Sequence, residues 1–166
     1  MSITIRSFEE SDQDQVVRLV LSIQNDEFGI PVTAAEQPDL RDVAGHYVRP
    51  GGHFWVAASG PSVVGTIGLL NIGEQDLALR KMFVAPAWRG REHGVGARLL
   101  DSALDWARRG GFRRILLGTV DQFQAAQRFY QKHGFTAIEP SALPDHFPRM
   151  RLDSRFYQLE LASKSA

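Results

Sequence analysis

The sequence contains no cysteine, and this absence excludes several kinds of chemistry. A chain without cysteine forms no disulfide, offers no thiol nucleophile and provides no thiolate ligand for zinc. The five histidines show neither an HExxH pattern nor clustered spacing, so we expect no metal site. No apolar run approaches the ~20 residues that a membrane-spanning helix needs, so we expect no membrane partner.

An excess of charge of one sign is also missing, because 19 basic residues balance 19 acidic ones. A neutral chain without a long basic run is unlike a nucleic-acid-binding protein, and any anion site must be local. The first residues have neither the basic head nor the apolar run of a signal peptide, which favours a cytoplasmic protein. The length of 166 residues predicts one domain over residues 1–166.

Hydrophobic periodicity predicts an α/β fold. Helical spacing predicts helices near residues 12–25, 40–47, 95–108 and 122–133. Alternating or short apolar runs predict strands near residues 3–5, 53–58, 63–70, 77–84, 114–119, 135–138 and 155–161. Ser11 and Asp14 predict a capping box at the first helix. Three strands with short turns, followed by a strand–helix–strand unit, predict a mixed, mostly antiparallel central sheet with one parallel crossover and helices on both faces.

Glycine and arginine concentrate in WRGREHGVGARLL, residues 88–100, directly before a predicted helix. The first turn of a helix has unpaired N–H groups and the positive end of the helix dipole, which together favour an anion. Gly94 and Gly96 allow close approach, and Arg89 and Arg91 can donate charge-assisted hydrogen bonds to phosphate. The stretch equally fits a glycine-rich turn with surface arginines. It matches neither a Walker loop nor the GxGxxG dinucleotide fingerprint.

Two motifs in this part of the chain resemble those of one enzyme superfamily. Arg91, Gly94 and Gly96 fill R-x-x-G-x-G, which resembles the acetyl-CoA pyrophosphate motif of the GNAT acetyltransferases. QAAQRFYQKHGF, residues 124–135, is similar to that superfamily's later A-x-x-F-Y-x-K-x-G-F signature. The resemblance covers about Val63 to Ile138 and implies acetyl-CoA as the cofactor. It also implies a pair of splayed parallel strands that hold the pantetheine arm.

The resemblance assigns the cofactor contacts to three neighbouring segments. The strand before the loop would line the pantetheine arm, the loop and the helix start would cradle the pyrophosphate, and the next strand would form the opposite wall. The residues so implied are Met82, Phe83, Val84, Arg89, Gly90, Arg91, Glu92, His93, Gly94, Val95, Gly96, Ala97, Leu117, Gly118 and Thr119. Phe129 is expected to pack, with the arm as one candidate partner.

Tyr130 aligns with the frequent general acid of the resembling family, which protonates the departing thiolate of CoA. A free thiol has a pKa near ~8.5 and a tyrosine near ~10, so a positioned phenol can share its proton with the thiolate. Phe123, Ala126, Tyr130 and His133 also fall at helical core spacing. A core tyrosine with a satisfied hydroxyl is therefore the alternative.

The general base is less clear, because Ala78 stands where many relatives carry glutamate. Phe123 likewise replaces a common asparagine that contacts pantetheine. Deprotonating an amine of pKa ~10.4 near neutral pH costs about 4–5 kcal/mol, so a base would help. Candidate bases are Glu74, Asp76, Glu27 and His53, with Glu74 as the predicted catalytic carboxylate. Both Glu74 and Asp76 also read as ordinary turn carboxylates, and His53 as a strand cap.

These observations predict an acetyl-CoA-dependent N-acetyltransferase that transfers acetyl directly to a small amine, since no cysteine could carry it covalently. Glu27 and Phe28 are expected to bind that acceptor. A protein or peptide N-acetyltransferase, and a non-catalytic acyl-CoA-binding regulatory domain, are the alternatives. The segment LPDHFPRMRLDSRFY, residues 143–157, fits a cover for the acceptor site, simple packing or a dimer edge, and a homodimer stays open.

Overall fold

The computed structural model describes residues 2–161, which form a seven-stranded sheet. The strands are β1 (Thr4–Ser7), β2 (His53–Ser59), β3 (Ser62–Gly73), β4 (Asp76–Val84), β5 (Arg114–Thr119), β6 (Thr136–Ile138) and β7 (Arg155–Glu160). Their order is β1-β2-β3-β4-β5-β7-β6. Only the β4–β5 pair among these is parallel. The predicted mixed, mostly antiparallel sheet is confirmed.

Four α-helices connect these strands. They are α1 (Gln13–Leu21), α2 (Pro38–Arg41), α3 (Val95–Arg109) and α4 (Gln124–Lys132). The chain continues from α1 as a π-helix over Ser22–Glu27, and a second π-helical segment spans Ala44–Val48. The predicted helical piece at residues 40–47 is therefore divided, because Asp42 has a non-helical φ of −144°. No helix formed by residues 2–161 is long and apolar enough to cross a membrane.

The predicted capping box at Ser11 and Asp14 is wrong. The structure places the box on Glu9 and Asp12, with the Glu9 N–H donating to Asp12 Oδ2 over 2.8 Å. Both oxygens of Asp12 also accept hydrogen bonds from the Arg6 guanidinium, at 2.8 and 2.9 Å. This ion pair fixes the Asp12 carboxylate at the start of the helical segment, two residues before the predicted position.

The sheet buries both faces, as the alternation along β2 requires. Trp55 and Ala57 face the main core, where α3 packs through residues such as Leu99 and Ala103. Phe54 and Val56 face the opposite side, where α1 and α2 pack. The predicted helices on both faces are confirmed. Each fully buried large side chain contributes about 1.5–3 kcal/mol, so the two layers hold the sheet from both sides.

Strands β4 and β5 separate after a short paired stretch. Only Asp76 to Ala78 pair with Arg114 to Leu116, although both strands continue beyond that point. Within the β3–β4 pairing, the register shifts near Lys81, which has a φ of +54°. The hydroxyl of Thr66 donates to the Lys81 carbonyl over 2.6 Å and holds this irregular backbone in place. The predicted splayed parallel strands are confirmed, and they open a gap at their carboxyl ends.

Candidate functional site

A cavity of about 800 Å³ occupies the gap between β4 and β5. The first turn of α3 and one side of α4 form one end of it. Residues of the segments 23–37 and 147–153 line the other end. We call these two ends the loop half and the acceptor half.

The amino terminus of α3 presents free backbone donors to the loop half. Gly94 caps the helix in the left-handed conformation, with a φ of +60°. The first hydrogen bond across the cap runs from the Arg98 N–H to the Gly94 carbonyl. Within the described residues, the N–H groups of Val95, Gly96 and Ala97 therefore precede the helical bonding pattern and have no acceptor. Such donors favour an anion in front of the helix.

Gly96 keeps the loop half open where three elements converge. A Cβ atom on Gly96 would lie 3.5 Å from the Phe129 ring of α4 and 3.8 Å from Met82 Cε of β4. Anything larger than a methyl group would extend into the cavity. The cradle therefore leaves room for a slender chain beside the start of α3.

Arg89 and Glu27 form an ion pair at the cavity edge. The Arg89 guanidinium donates to both carboxylate oxygens of Glu27, over 2.6 and 2.8 Å, and its Nε donates to the Val84 carbonyl. The hydrogen bonds from Arg89 lower the pKa of Glu27 below its ordinary value. Arg89, which was predicted to bind pyrophosphate, is thus hydrogen-bonded to Glu27, which was predicted to bind the acceptor. Arg91 also lines the cavity, with no carboxylate within ion-pair distance in the described chain.

Tyr130 combines a buried ring with a hydroxyl that has no hydrogen-bond partner among residues 2–161. Its ring packs against Phe135 and Tyr157, and the residue is 5% exposed. The hydroxyl makes no hydrogen bond within residues 2–161, and its oxygen is not fully enclosed. Tyr130 is one of the residues that line the cavity. Burial raises the pKa of Tyr130 well above its ordinary value, so the phenol keeps its proton at neutral pH.

The other predicted catalytic residue, Glu74, lies away from these groups. It occupies the β3–β4 turn with a φ of +57°, and its side chain is 74% exposed. Its carboxylate is 3.1 Å from Nδ1 of His146. The neighbouring Asp76 is fully enclosed and is bonded to Arg114, Arg113 and His146 at 2.9, 3.1 and 2.8 Å. Neither carboxylate lines the cavity.

Two further predictions concern His53 and Phe123. The ring of His53 stacks on Trp106 at 5.5 Å and its Nε2 lies 2.8 Å from the Ser7 hydroxyl, outside the cavity. Phe123 lines the cavity and makes edge-to-face contacts with Phe28 and Phe83, with ring centroids 4.8 and 5.9 Å away. An aromatic cluster therefore lies at the position where many members of the resembling family carry an asparagine.

Most of the predicted cofactor residues lie together on the cavity wall. Those that line it are Met82, Phe83, Val84, Arg89, Gly90, Arg91, Gly94, Gly96, Ala97, Gly118, Thr119 and Phe129. Val95 and Leu117 instead point into the core, each 1% exposed. Glu92 and His93 lie in the loop outside the lining, where His93 packs on Trp88. Of the two predicted acceptor residues, Phe28 lines the cavity and Glu27 holds Arg89.

Three charged residues of the acceptor half were not singled out by the sequence. Asp153 lies against Gly118, whose missing side chain makes room for it, and its Oδ2 accepts a hydrogen bond from the Met150 N–H over 3.0 Å. Burial raises the pKa of Asp153. Arg80 and Lys81 face the same space from β4. Asp153 lies in a proline-rich loop, and no local pattern there predicts which distant residues it will approach. Arg80 lies within the predicted strand 77–84, but the strand pattern does not indicate a functional role for it.

Comparisons with known proteins agree with this geometry. Residues 17–135 match the acetyltransferase (GNAT) family. The chain is 34% identical over 104 residues to N-acetyltransferase family 8 member 2 of Rattus norvegicus, a match covering 60% of this chain and 45% of that protein. It thus spans about half the length of this curated relative.

Solved structures show the same architecture over nearly the whole chain. A GNAT-family acetyltransferase from Staphylococcus aureus Mu50 superposes with a TM-score of 0.93 and 36% identity, covering 97% of this chain and 100% of that one. The yncA protein of Salmonella typhimurium, solved with its cofactor acetyl-CoA, superposes with a TM-score of 0.72 and 22% identity, covering 100% and 98%. With its family motifs, sheet and cavity in agreement, this chain belongs to the GNAT acetyltransferase family.

Proposed function

We propose that the protein is an acetyl-CoA-dependent N-acetyltransferase that transfers acetyl directly to the amine of a small molecule. The observation that carries this proposal is the convergence of three features in one cavity. The free N–H groups at the start of α3, the splayed β4–β5 gap and the unpartnered Tyr130 hydroxyl all meet there. Family membership supports the same cofactor, as does the acetyl-CoA of the Salmonella relative.

The loop half supplies the groups that would hold CoA. The N–H groups of Val95, Gly96 and Ala97, with the Arg91 guanidinium, suit the two phosphates of the pyrophosphate. Val95 thus contributes its backbone while its side chain belongs to the core. The edge of β4 that faces β5 has no strand partner from Met82 to Val84, although Phe83 and Val84 pair with β3 on the other edge, and this open edge suits the amide groups of the pantetheine arm. When bound, acetyl-CoA supplies an acetyl group activated as a thioester.

Tyr130 is the proposed general acid. A phenol keeps its proton at neutral pH, and among residues 2–161 the Tyr130 oxygen has no partner that competes for this proton. Burial raises the pKa of Tyr130 and so weakens it as an acid, and donation therefore requires negative charge to develop on a sulfur beside Oη. Donation from Oη to the departing sulfur avoids releasing a free thiolate into an apolar cavity. The sulfur becomes a neutral thiol, and the tyrosinate recovers its proton from solvent.

Asp153 is the proposed proton acceptor for the amine. It and Glu36 are the two carboxylates on the described cavity lining. Glu36 is already bonded to Thr33 and paired with Arg151 at the exposed rim. Asp153 is more enclosed, and its raised pKa makes it a stronger base than an exposed aspartate. Glu74 stays a prediction, and its place outside the lining does not favour it.

The two segments that line the acceptor half favour a small amine over a protein. Segments 23–37 and 147–153 both contribute to its walls, with aromatic and aliphatic side chains such as Phe28, Ile30 and Phe147. A lysine within a folded protein would have to reach past these segments. A peptide acetyltransferase and a regulatory acyl-CoA-binding domain remain the alternatives that experiment must separate.

The test has two arms. Calorimetric titration with acetyl-CoA, CoA and ATP examines the loop half, and micromolar binding of the first two but not ATP is expected. Release of free CoA thiol in the presence of small amines and, separately, lysine peptides examines transfer. Turnover with small amines alone supports the proposal. Binding without turnover on any amine would favour a regulatory domain.

A further inference from the structure

Arg80 is a cation of the acceptor half that lacks an anionic partner. Its guanidinium Nη2 donates to the Pro148 carbonyl over 2.9 Å and contacts Met150 Sδ at 3.0 Å, both of which are neutral. Among residues 2–161, no carboxylate oxygen lies within 4.0 Å of Arg80. A guanidinium has five N–H donors, of which one bonds to Pro148 and another lies near the Tyr47 hydroxyl, so further donors stay available to a ligand.

The adjacent cation is compensated, which makes Arg80 the exception. Lys81 is buried, with only 8% of its side chain exposed, and its Nζ lies 3.3 Å from Asp39. The same carboxylate accepts a hydrogen bond from the Tyr47 hydroxyl over 2.5 Å. Burial opposes ionisation of Asp39, but the Lys81 charge and the Tyr47 hydroxyl hold its pKa below the ordinary value. Lys81 and Asp39 thus form a close ion pair, whereas Arg80 acts on Asp39 and Asp153 only from beyond ion-pair distance.

The rest of the acceptor half is largely apolar. Its walls carry the side chains of Ile23, Phe28, Ile30, Val32, Phe147 and Leu152. In such surroundings an unpaired cation attracts an anion far more strongly than it does in water. A ligand with both a carboxylate and an apolar group would satisfy Arg80 and fill this space.

Asp153 places a carboxylate on the same space as Arg80. It lines the cavity beside Gly118, and Arg80 and Lys81 are near enough to act on its ionisation. A cation and an anion that line one cavity complement a zwitterion.

We propose that the acceptor is an amino acid with an apolar side chain, whose carboxylate binds Arg80 and whose amine faces Asp153. This inference rests on the proposed transferase function, and it specifies the acceptor. The competing explanation is that Arg80 only ties the 147–153 segment to β4.

Matched pairs of ligands with and without the carboxylate test this proposal. L-phenylalanine is compared with 2-phenylethylamine, and L-leucine with 3-methylbutylamine. Each is titrated calorimetrically into the protein saturated with CoA, which cannot transfer acetyl. Because charge-assisted hydrogen bonds to a carboxylate are strong, the amino acids should bind about ten- to a hundredfold more tightly than their matched amines.

Variants then assign the preference to Arg80. Arg80→Gln should abolish it, Arg80→Lys should keep part of it, and the exposed control Arg109→Gln on α3 should leave it unchanged. Thermal melting checks that each variant is folded. If Arg80→Gln does not fold, the comparison of Arg80→Lys with wild type carries the test, because a single point charge should bind a carboxylate less well than the guanidinium fork.

The outcomes separate this proposal from the proposed function. Equal binding of amino acids and amines, no binding of either, or a preference that survives the loss of Arg80 would overturn the amino-acid assignment. Transfer to the decarboxylated amines would then still support an acetyltransferase. If amino acids bind more tightly in an Arg80-dependent way but no acetyl group is transferred, the amino-acid binding site is supported and the proposed transferase function is overturned.

Discussion

Tyr130 is the residue in which packing and chemistry are hardest to separate. The ring stabilises the core, whereas the hydroxyl has no hydrogen-bond partner among residues 2–161. Tyr130→Phe should therefore lower the turnover number by about 100-fold, the usual contribution of a general acid, and change CoA affinity by less than about twofold. Steady-state kinetics beside calorimetry measure both quantities. Unchanged turnover would reduce Tyr130 to a packing residue.

The protonation state of Asp153 should determine how the rate of transfer depends on pH. A base works only when unprotonated, and burial raises the pKa of Asp153 above the ordinary 3.8. The value of kcat/KM should therefore fall as the pH drops through that raised pKa. Asp153→Asn should remove this limb of the profile and lower the rate by about 100-fold at neutral pH. Glu74→Gln is the matched comparison, and loss of the limb in that variant would return the role to Glu74.

At the scale of elements, the ion pair between Glu27 and Arg89 joins the π-helical end of the first helix to the loop before α3. A phosphate must compete with Glu27 for Arg89, whereas Arg91 has no such competitor among residues 2–161. Glu27→Gln should therefore tighten CoA binding, by up to about fivefold for an exposed pair, and Arg91→Ala should weaken it several-fold. Titration at low and at high salt measures both. If Glu27→Gln leaves CoA affinity unchanged or weakens it, as Arg91→Ala does, then Glu27 does not compete with the cofactor for Arg89.

The elements differ in how far local sequence predicts them. Alternation along residues 53–84 specified the three-stranded meander, and the apolar face of Val95, Leu99 and Ala103 specified α3, because these patterns follow the periods of strand and helix. The π-helical segments at Ser22–Glu27 and Ala44–Val48 carry no such period. The second of them places the buried Tyr47 hydroxyl on Asp39, a contact that its local sequence pattern does not predict.

The same distinction applies to the site. The loop half is contiguous in sequence, so its glycines and arginines were visible together. The acceptor half brings Arg80 of β4 beside Asp153 and Met150, which follow it by about 70 residues. Such pairs depend on how the chain folds back, and the sequence of either segment alone does not indicate the other.

At the scale of the whole molecule, Asp76 ties the segment around His146 to the starts of β4 and β5. Burial alone would raise the pKa of Asp76, but hydrogen bonds from Arg114, Arg113 and His146 hold it below 3.8. Asp76→Asn should lower the free energy of unfolding at pH 7 by about 2–3 kcal/mol, somewhat less than a fully buried pair because Arg113 is half exposed.

The pH dependence of that loss follows from the lowered pKa. A carboxylate with a depressed folded-state pKa stabilises the protein above its unfolded value, and the contribution is lost as the pH falls through the folded value. Urea unfolding of wild type and Asp76→Asn should therefore differ fully at pH 7 and progressively less below about pH 4. If the difference in free energy of unfolding between wild type and Asp76→Asn does not change with pH, the effect comes from altered packing or hydrogen bonding rather than from the lost charge.

The two ends of the sheet offer only short edge strands to another copy of the molecule. The outermost strands, β1 and β6, have four and three residues, and the Arg98 side chain covers the Ile3 carbonyl beside β1. At pH 7 the formal net charge is zero, so long-range repulsion does not keep copies apart. Resistance to strand-by-strand aggregation near the isoelectric point therefore depends on the shortness of these edges, which offer few backbone groups to an incoming strand.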